Sequence, residues 1–441
     1  MASIPKPSAA GQASATATRQ LPYNRHKSQD AVTMPEQATS LHFDTVVIGG
    51  GIAGLWLSNR LKNAGYNNLL LEQSGLGDNQ SVASQGMIHG GMKYALAGAL
   101  TGASEAIADM PKHWADCLAG KGDVDLRGAS VLSQHFYMWA SPSVTARVTT
   151  FFASKALRGR VDNLAANQYP PLLQAAQRKF DVYKLVDLVL DVPSVVKALR
   201  DNLPENCRLI DWQKARLVRT GDRVHLEISN ADNILKISAQ RFIFTAGKGN
   251  QTLLENIACQ APEMQTRPLQ QVMVKHKLGY EFYGHCLGTD KTPRLTISSH
   301  PADDGELIWY LGGSLAEKGV ALSAEELIQR AQQELAELMP WIDLSTAQWA
   351  TLNIDRAEPK QHNFARPDKA FAGRAEGVSN VYVGWPTKLT LAPNMANEML
   401  AQLQADQIAP SHRQTNCEFL PEATLAATPW QLAFTAKDAT S

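Results

Sequence analysis

The 441-residue chain is expected to fold as an α/β protein, a doubly wound nucleotide-binding unit interleaved with a second domain built on a mixed sheet. Three observations carry this expectation. A short apolar run, Thr45–Ile48, feeds a glycine turn and a helix-like segment. A second apolar run, Asn68–Leu71, ends in an acid, and between Leu269 and Leu352 strand-like segments precede one long helix. The first two have the strand, helix, strand order of a parallel sheet, and the third that of a mixed sheet with its own helix.

Composition narrows the functions available. The chain is long enough for about two to three domains, and 44% apolar residues is ordinary for a globular protein. Lys plus Arg balances Asp plus Glu at 42 each, so no global field points to nucleic acid. The cysteines Cys117, Cys207, Cys259, Cys286 and Cys417 are scattered without a CxxC or a Cys/His cluster. Neither a disulfide framework nor a metal site is expected, and a reducing cytoplasm fits. No apolar run approaches the roughly 18 residues that suggest a membrane span.

Residues 1–41, rich in Ala, Ser, Thr, Pro and Gln, show no periodicity and are expected to be a disordered tail. Lys6, Arg19, Arg25 and Lys27 precede the first acid, Asp30, as in organelle transit peptides. Pro5, Pro7 and Pro22 interrupt any amphipathic helix there, which favours a plain solvated tail. No apolar stretch suits a secretory signal.

The organising stretch is His42–Gln73. GGGIAG sets Gly49, Gly51 and Gly54 between strand and helix. Gly49 permits the tight turn, Gly51 lets the backbone approach a pyrophosphate, and Gly54 lets the helix pack on the strand. The phosphates then sit at the positive end of a helix. Glu72, 21 residues after Gly51 and followed by Gln73, can accept from both ribose hydroxyls of an adenosine, which disfavours a ribose phosphate there. Strand, glycines, helix, strand and acid in register make a Rossmann-like dinucleotide site.

Beyond it, 95–118 has helical composition and 128–141 alternates like a strand. No acid occurs between Leu126 and Val161, where Arg127, Arg147, Lys155, Arg158 and Arg160 lie. Residues 145–161 are either a basic amphipathic helix touching an anionic membrane or a cap helix with a solvated basic face. Residues 191–203 predict a helix with Asp191 as cap and Pro193 in its first turn. Residues 215–228 predict a hairpin over Thr220–Asp222. Phe242–Thr245 reads as a buried strand ending at Ala246-Gly247, where Gly247-Lys248 lacks the earlier glycine of a P-loop. Ser323 and Glu326 form a capping box for a helix that Pro340 stops. The last expected unit, 380–403, is a strand, a Gly-Trp-Pro-Thr turn and a helix starting near Thr390 or Leu391.

With GGGIAG and Glu72, the loop SQGMIHGGMKY (84–94), the junction TAGKGN (245–250) and the turn WPTKLTLAP (385–393) in that order, residues 42–408 resemble the D-amino acid oxidase-like (DAO) family of FAD-dependent oxidoreductases. That family includes glycerol-3-phosphate and 2-hydroxyglutarate dehydrogenases. The resemblance implies FAD, with Gly49, Gly51 and Gly54 at its pyrophosphate and Glu72 and Gln73 at its ribose. It further implies Ser84, Gln85, Gly86 and Met87 along the pyrophosphate and flavin ring, Ala215, Ala246 and Gly247 at the adenine end, and Lys388, Leu389 and Thr390 at the flavin pyrimidine edge. A lysine beside a helix start would stabilise negative charge on reduced flavin.

His89 corresponds to a histidine that carries a covalent flavin bond in some relatives and lines the site in others; a packed histidine is the third option. Arg356, in LNIDRAEP, lacks the glycine and adjacent proline of the family's anion-gripping arginine, and Ala83 and Gln85 replace its usual arginine and hydroxyl residue. Arg356 is thus an anion clamp or an ion-pair partner of Asp355 or Glu358. Tyr280, Tyr283 and His285 either face the flavin or serve the core or surface.

The expected organisation is a tail 1–41, an FAD-binding domain in three parts (42–127, 181–260 and 366–408), a cap segment 128–180, a substrate domain 261–365 and a tail 409–441. The expected activity is removal of hydride from a small anionic hydroxy acid or phosphorylated alcohol, with Arg356, Lys388 and His89 at the chemistry and electrons passed to a separate acceptor. Amine or amino-acid oxidation is the rival within enzymes, and a flavin-free binding protein is the rival outside them.

Overall fold

The computed structural model describes residues 39–90, 107–140, 161–177, 180–230, 233–288, 290, 292–364, 367 and 369–438. The N-terminal segment before Thr39, and nearly all of the expected membrane-touching segment 145–161, lie outside the described residues. The first sheet contains β1 (Thr39–Ile48), β2 (Asn68–Glu72), β9 (Cys207–Leu209), β10 (Ala215–Thr220), β11 (Arg223–Asn230), β12 (Asn233–Phe244), β18 (Phe371–Arg374) and β19 (Val381–Trp385). Its order is β10-β11-β12-β1-β2-β9, and β12 also carries β19 and then β18. β12 runs parallel to β1 along its length; its first half pairs antiparallel with β11 and its last residues pair parallel with β19.

The end of β1, Val46–Ile48, is apolar without alternation because both of its faces are covered: Val47 belongs to one core, and Phe43, Val46 and Ile48 to another. Helix α1 (Ile52–Asn63) covers the first face with Trp56, Leu57 and Leu61, joined there by Met395 and Met399 of the helix Ala392–Ala405. The second sheet contains β5 (Phe136–Ala140), β6 (Val161–Asn163), β7 (Asp181–Leu185), β13 (Met264–His276), β14 (Gly284–Leu287), β15 (Leu295–Pro301), β16 (Leu307–Gly312) and β17 (Gln348–Pro359). Its order is β17-β13-β16-β15-β14-β5-β7-β6, antiparallel except where β14 meets β5, so it is mixed. A small third sheet joins β3 (Met87–Ile88), β8 (Leu188–Leu190) and β4 (Val131–Ser133).

Local signals placed the helix Val192–Asp201, whose cap Asp191 accepts from Ser194 N at 3.0 Å, and the helix Ala324–Leu338 with its Ser323–Glu326 capping box. They also placed the β10–β11 hairpin, whose turn has Gly221 at φ +62°. Four expectations change. β1 begins at Thr39 because Thr39–Leu41 pair with Leu235–Ile237, so the expected tail ends earlier. The stretch 128–141 is two strands in different sheets, since β4 pairs with β8 and β5 with β7. β7 lies in the second sheet, which moves the expected boundary at 181 toward β8.

The fourth change concerns 409–441. Ser411 donates to Asp44 through both N and Oγ, Leu425 bridges to Leu76, and the helix Pro429–Asp438 seats Trp430 and Phe434 among Met273, Ile308 and Tyr310. Two aromatic anchors a turn apart leave no amphipathic period in sequence, yet they cover part of one face of the second sheet at β13 and β16. Trp430→Ala is expected to lower stability by about 3–5 kcal/mol, read from the midpoint of chemical denaturation. An unchanged midpoint would make the segment a passive strap.

Candidate functional site

The glycine turn shows which of its residues the chain itself requires. Gly49 has φ +112°, and a Cβ on it would stand 2.5 Å from Ala246 Cα; a Cβ on Gly54 would stand 2.0 Å from Gly49 O. Both are dictated by the packing of the turn on the end of β12. Gly51 has an ordinary φ of −72°, and its Cβ would meet only Ser81 Oγ, at 3.2 Å. The space before Gly51 is therefore a cradle that a side chain would fill. No acid occupies the first turn of α1, and Ile52 N donates to Ser81 Oγ at 3.0 Å.

Glu72 borders the cradle. Its Oε2 accepts from Gly50 N at 2.6 Å, and Oε1 accepts from Gln73 N at 2.8 Å and Ser74 N at 2.9 Å. Ala246 N donates to Asn250 Oδ1 at 2.7 Å, and Gly247 O accepts from Trp385 Nε1 at 3.0 Å. Ala215 opens β10 opposite Ile228 and packs in the core of Leu69 and Leu71.

From the cradle the loop 80–90 runs to the second sheet. Gln80 Oε1 accepts from Ala357 N at 3.1 Å, and Gln85 Nε2 donates to Tyr310 O at 2.8 Å. Ser84 Oγ is buried with no partner among the described residues. Gly86, at φ +72°, lets the loop cross Leu190, whose carbonyl oxygen a Cβ would approach to 2.1 Å. Thr390 Oγ1 then donates to Met87 O at 3.3 Å and accepts from His89 N at 3.4 Å, while Trp114 Nε1 donates to Thr390 O at 3.1 Å. Two expected motifs about 300 residues apart thus meet at one hydroxyl. The turn Leu389–Leu391 is a 3-10 helix leading into the helix Ala392–Ala405, with Pro393 in its first turn.

Beside this junction is a cavity. Met87, His89 and Asp187 bound it from the loop side, and Phe136, Met138, Leu185 and His285 from β5, β7 and β14. Asp187 Oδ1 accepts from Gly90 N at 3.1 Å. His285 is buried, with Nδ1 2.8 Å from Thr296 Oγ1 and its ring tilted against Phe136 at 4.6 Å. Neither Arg356 nor Lys388 is among these lining residues. Lys388 Nζ donates to Pro367 O at 2.9 Å. Arg356 Nε donates to Arg267 O at 3.2 Å, and its acidic neighbour is Glu317, 3.9 Å away. The expected acidic partners are engaged elsewhere, Asp355 with Lys248 at 2.5 Å and Glu358 with Arg267.

Tyr283 is buried in the core beside Phe136 and Met138, where burial pushes its hydroxyl pKa well up, and Tyr280 packs against the core on Trp309 and Phe282. Asp187 escaped the sequence expectations; its one signal is an acid set between two short apolar strands. One further donor group, His113, Cys117 and Asp123, comes within 4.8 Å. Asp123 there is paired with Arg60 at 3.0 Å, and burial pushes the Cys117 thiol up to about 12, so this cluster reads as structural.

A glycine turn between strand and helix, leading along a loop to a cavity under a second sheet, is the frame expected of a flavin-dependent oxidoreductase. A family model of FAD dependent oxidoreductases (DAO) matches residues 44–399, and the chain belongs to that family. It is 45% identical over 397 residues, 90% of this chain and 99% of the relative, to the probable FAD-dependent oxidoreductase PA4991 of Pseudomonas aeruginosa. The crystal structure of PA4991 matches with a TM-score of 0.77 at 41% identity, covering 90% of this chain and 99% of that one.

Iminodiacetate oxidase of Chelativorans sp. BNC1 (TM-score 0.58, 15% identity, 87% and 100% coverage) shares the fold. So does L-alpha-glycerophosphate oxidase of Mycoplasma pneumoniae (TM-score 0.58, 14% identity, 82% and 95% coverage). The chain is an FAD-dependent oxidoreductase, and the residues fit that cofactor: the Gly51 cradle and the buried Ser84 hydroxyl offer what a pyrophosphate and its neighbours need. Among the described residues no helix is long and apolar enough to cross a membrane.

Proposed function

We propose that the chain oxidises a small substrate at a C–H bond next to nitrogen, beside the narrow cavity lined by His89, Asp187 and His285, and passes the electrons to a separate acceptor. FAD supplies the hydride acceptance. Gly49, Gly51, Gly54, Glu72 and Gln73 would hold its dinucleotide part, with Ala215, Ala246 and Gly247 at the adenine end. Ser84 to Met87 would follow it toward the ring, and Lys388, Leu389 and Thr390 would offer a positive helix start to charge developing there.

The observation that carries this reading is the lining of the cavity: a carboxylate and two imidazoles among apolar walls, without a lysine or arginine among the described residues. A carboxylate attracts a protonated amine and repels a substrate carboxylate or phosphate. The anionic hydroxy acid or phosphorylated alcohol expected from Arg356 and Lys388 therefore has less support than an amine. An anaerobic screen of amines, amino acids, hydroxy acids and phosphate esters for bleaching of the flavin tests the choice. Amines are expected to bleach it, and Arg356→Ala is expected to leave KM within a few-fold. Bleaching by acids or esters alone, with KM raised about tenfold or more in Arg356→Ala, would return the anion grip to Arg356.

A further inference from the structure

The strap before the helix Pro429–Asp438 is fixed, since Leu76 N donates to Thr424 O at 2.7 Å and Ala426 N to Leu76 O at 3.0 Å. The helix itself depends on its seat. Trp430 and Phe434 rest on Met273, Ile308 and Tyr310, and Gln431 Nε2 donates to Asp303 Oδ2 at 3.0 Å. By the β15–β16 register Ser298, His300, Ile308 and Tyr310 share one sheet face, and the β14–β15 register sets His285, which borders the cavity, on that face as well. The helix therefore covers part of the face that also bounds the cavity.

The seat is not an ordinary apolar one. The His300 ring is stacked on Trp430, with 4.8 Å between centroids and 28° between planes, and Tyr310 stands edge-on to both, 6.3 Å from Trp430 and 6.0 Å from His300. His300 is 1% exposed and Tyr310 0%. His300 Nε2 lies 3.0 Å from Ser298 Oγ, while His300 Nδ1 and Tyr310 Oη are buried with no partner among the described residues. A covered polar atom without a partner forfeits hydrogen bonds that water supplies once the cover lifts, so the seat is poised to open. A proton sharpens this, because an imidazolium carries two N–H donors and a charge that the seat does not satisfy.

We propose that the C-terminal helix is an acid-released latch: a proton on His300 lifts Pro429–Asp438 from the second sheet and so loosens the loop 80–90, whose Gln85 Nε2 donates to Tyr310 O at 2.8 Å.

The groups around His300 leave the switch to it. Tyr310 is pushed well above its usual range by burial and stays neutral. On β13, Lys275 is paired with Asp304 at 2.5 Å, and Lys277 beyond it with Glu306 at 3.2 Å. His285 lies on β14, with Glu281 and Tyr283 just before that strand, and Asp303 holds Gln431 of the helix. The side chains of Lys437 and Asp438, farther along the helix, lie outside the described residues. His276 of β13 packs on Trp309, in the core on the opposite face. Burial alone pushes covered His300 down to about 3, whereas an uncovered histidine titrates near about 6.5. Below that value the lifted form takes up a proton that the seated form refuses, so the ratio of lifted to seated helix rises about tenfold per pH unit as pH falls toward the lower value.

The test is amide hydrogen exchange on the full-length, FAD-loaded enzyme, corrected for the intrinsic pH dependence of exchange. Protection of the helix is expected to fall about 50-fold between pH 6.5 and 4.5, while that of Val46–Ile48 in β1 holds. His300→Gln, or His300→Asn should the first variant not fold, is expected to reduce the step to within about threefold. At pH 4.5 the unaltered enzyme is expected to release flavin about tenfold faster than the His300 variant, and at pH 7.5 equally. A step of the same size in the variant overturns the latch, as does one removed by His276→Gln instead, or a loss of protection shared by β1. Equal flavin release at pH 4.5 overturns the link to the loop.

Discussion

Gly51→Ala is expected to give a folded protein that no longer retains FAD, whereas Gly54→Ala, three residues on in the same motif, is expected to damage the fold. The difference lies in what each new Cβ meets. At Gly54 it would stand 2.0 Å from Gly49 O, an oxygen that also accepts from Thr245 Oγ1 at 3.0 Å. No side-chain rotation relieves a contact with backbone, and a cost of at least about 3 kcal/mol follows. At Gly51 the backbone angle suits any residue, and the Cβ meets only Ser81 Oγ at 3.2 Å. Stability should change by about 1 kcal/mol or less. The methyl group would instead occupy the approach to the pyrophosphate and weaken FAD by at least about tenfold, or 1.4 kcal/mol. Flavin-to-protein absorbance after desalting, beside the denaturation midpoint, separates the two. Full flavin retention in Gly51→Ala would remove the pyrophosphate from this cradle.

Arg267→Ala should destabilise the second sheet by about 3–5 kcal/mol. Glu358 is 1% exposed; both its oxygens accept from Arg267, with Nη2 donating to Oε2 at 3.0 Å, and Oε1 also accepts from Gln265 Nε2 at 2.8 Å. Removing the guanidinium leaves a buried carboxylate with one neutral donor. Replacing both members with apolar residues of similar volume, as in Arg267→Met with Glu358→Leu, should recover most of the loss, because the penalty comes from the unpaired charge. Urea denaturation of the single and double variants measures this, and an equally unstable double variant would show that the pair supplies attraction beyond its desolvation cost. The pair lies in the β13–β17 ladder next to Ala357, which binds the loop through Gln80. Part of the loss should therefore appear as weaker FAD retention.

The glycine turn and its strand were legible because their determinants are local. A tight turn needs Gly49, close helix packing needs Gly54, and a strand covered on both faces needs the uninterrupted run ending at Ile48; each requirement acts within a few residues and leaves a pattern. Helix caps were legible for the same reason, as Asp191 and the Ser323–Glu326 box show. The C-terminal helix was not, since Trp430 and Phe434 have meaning only against Ile308 and Tyr310, more than a hundred residues earlier.

The chemistry divides in the same way. By itself the sequence determined the glycine turn between strand and helix, the acid Glu72 at the end of β2 and the loop and turn motifs, which are short-range patterns of glycine, charge and apolar period. Only the tertiary structure decided what surrounds the loop and turn motifs. It joined His89 to Thr390, brought Asp187 and His285 to one cavity, and left Arg356 beside Glu317 and Lys388 at Pro367 O. The physical reason is that the cavity forms where β14 pairs in parallel with β5 and the loop crosses over them, and register between distant strands leaves no trace in any local window.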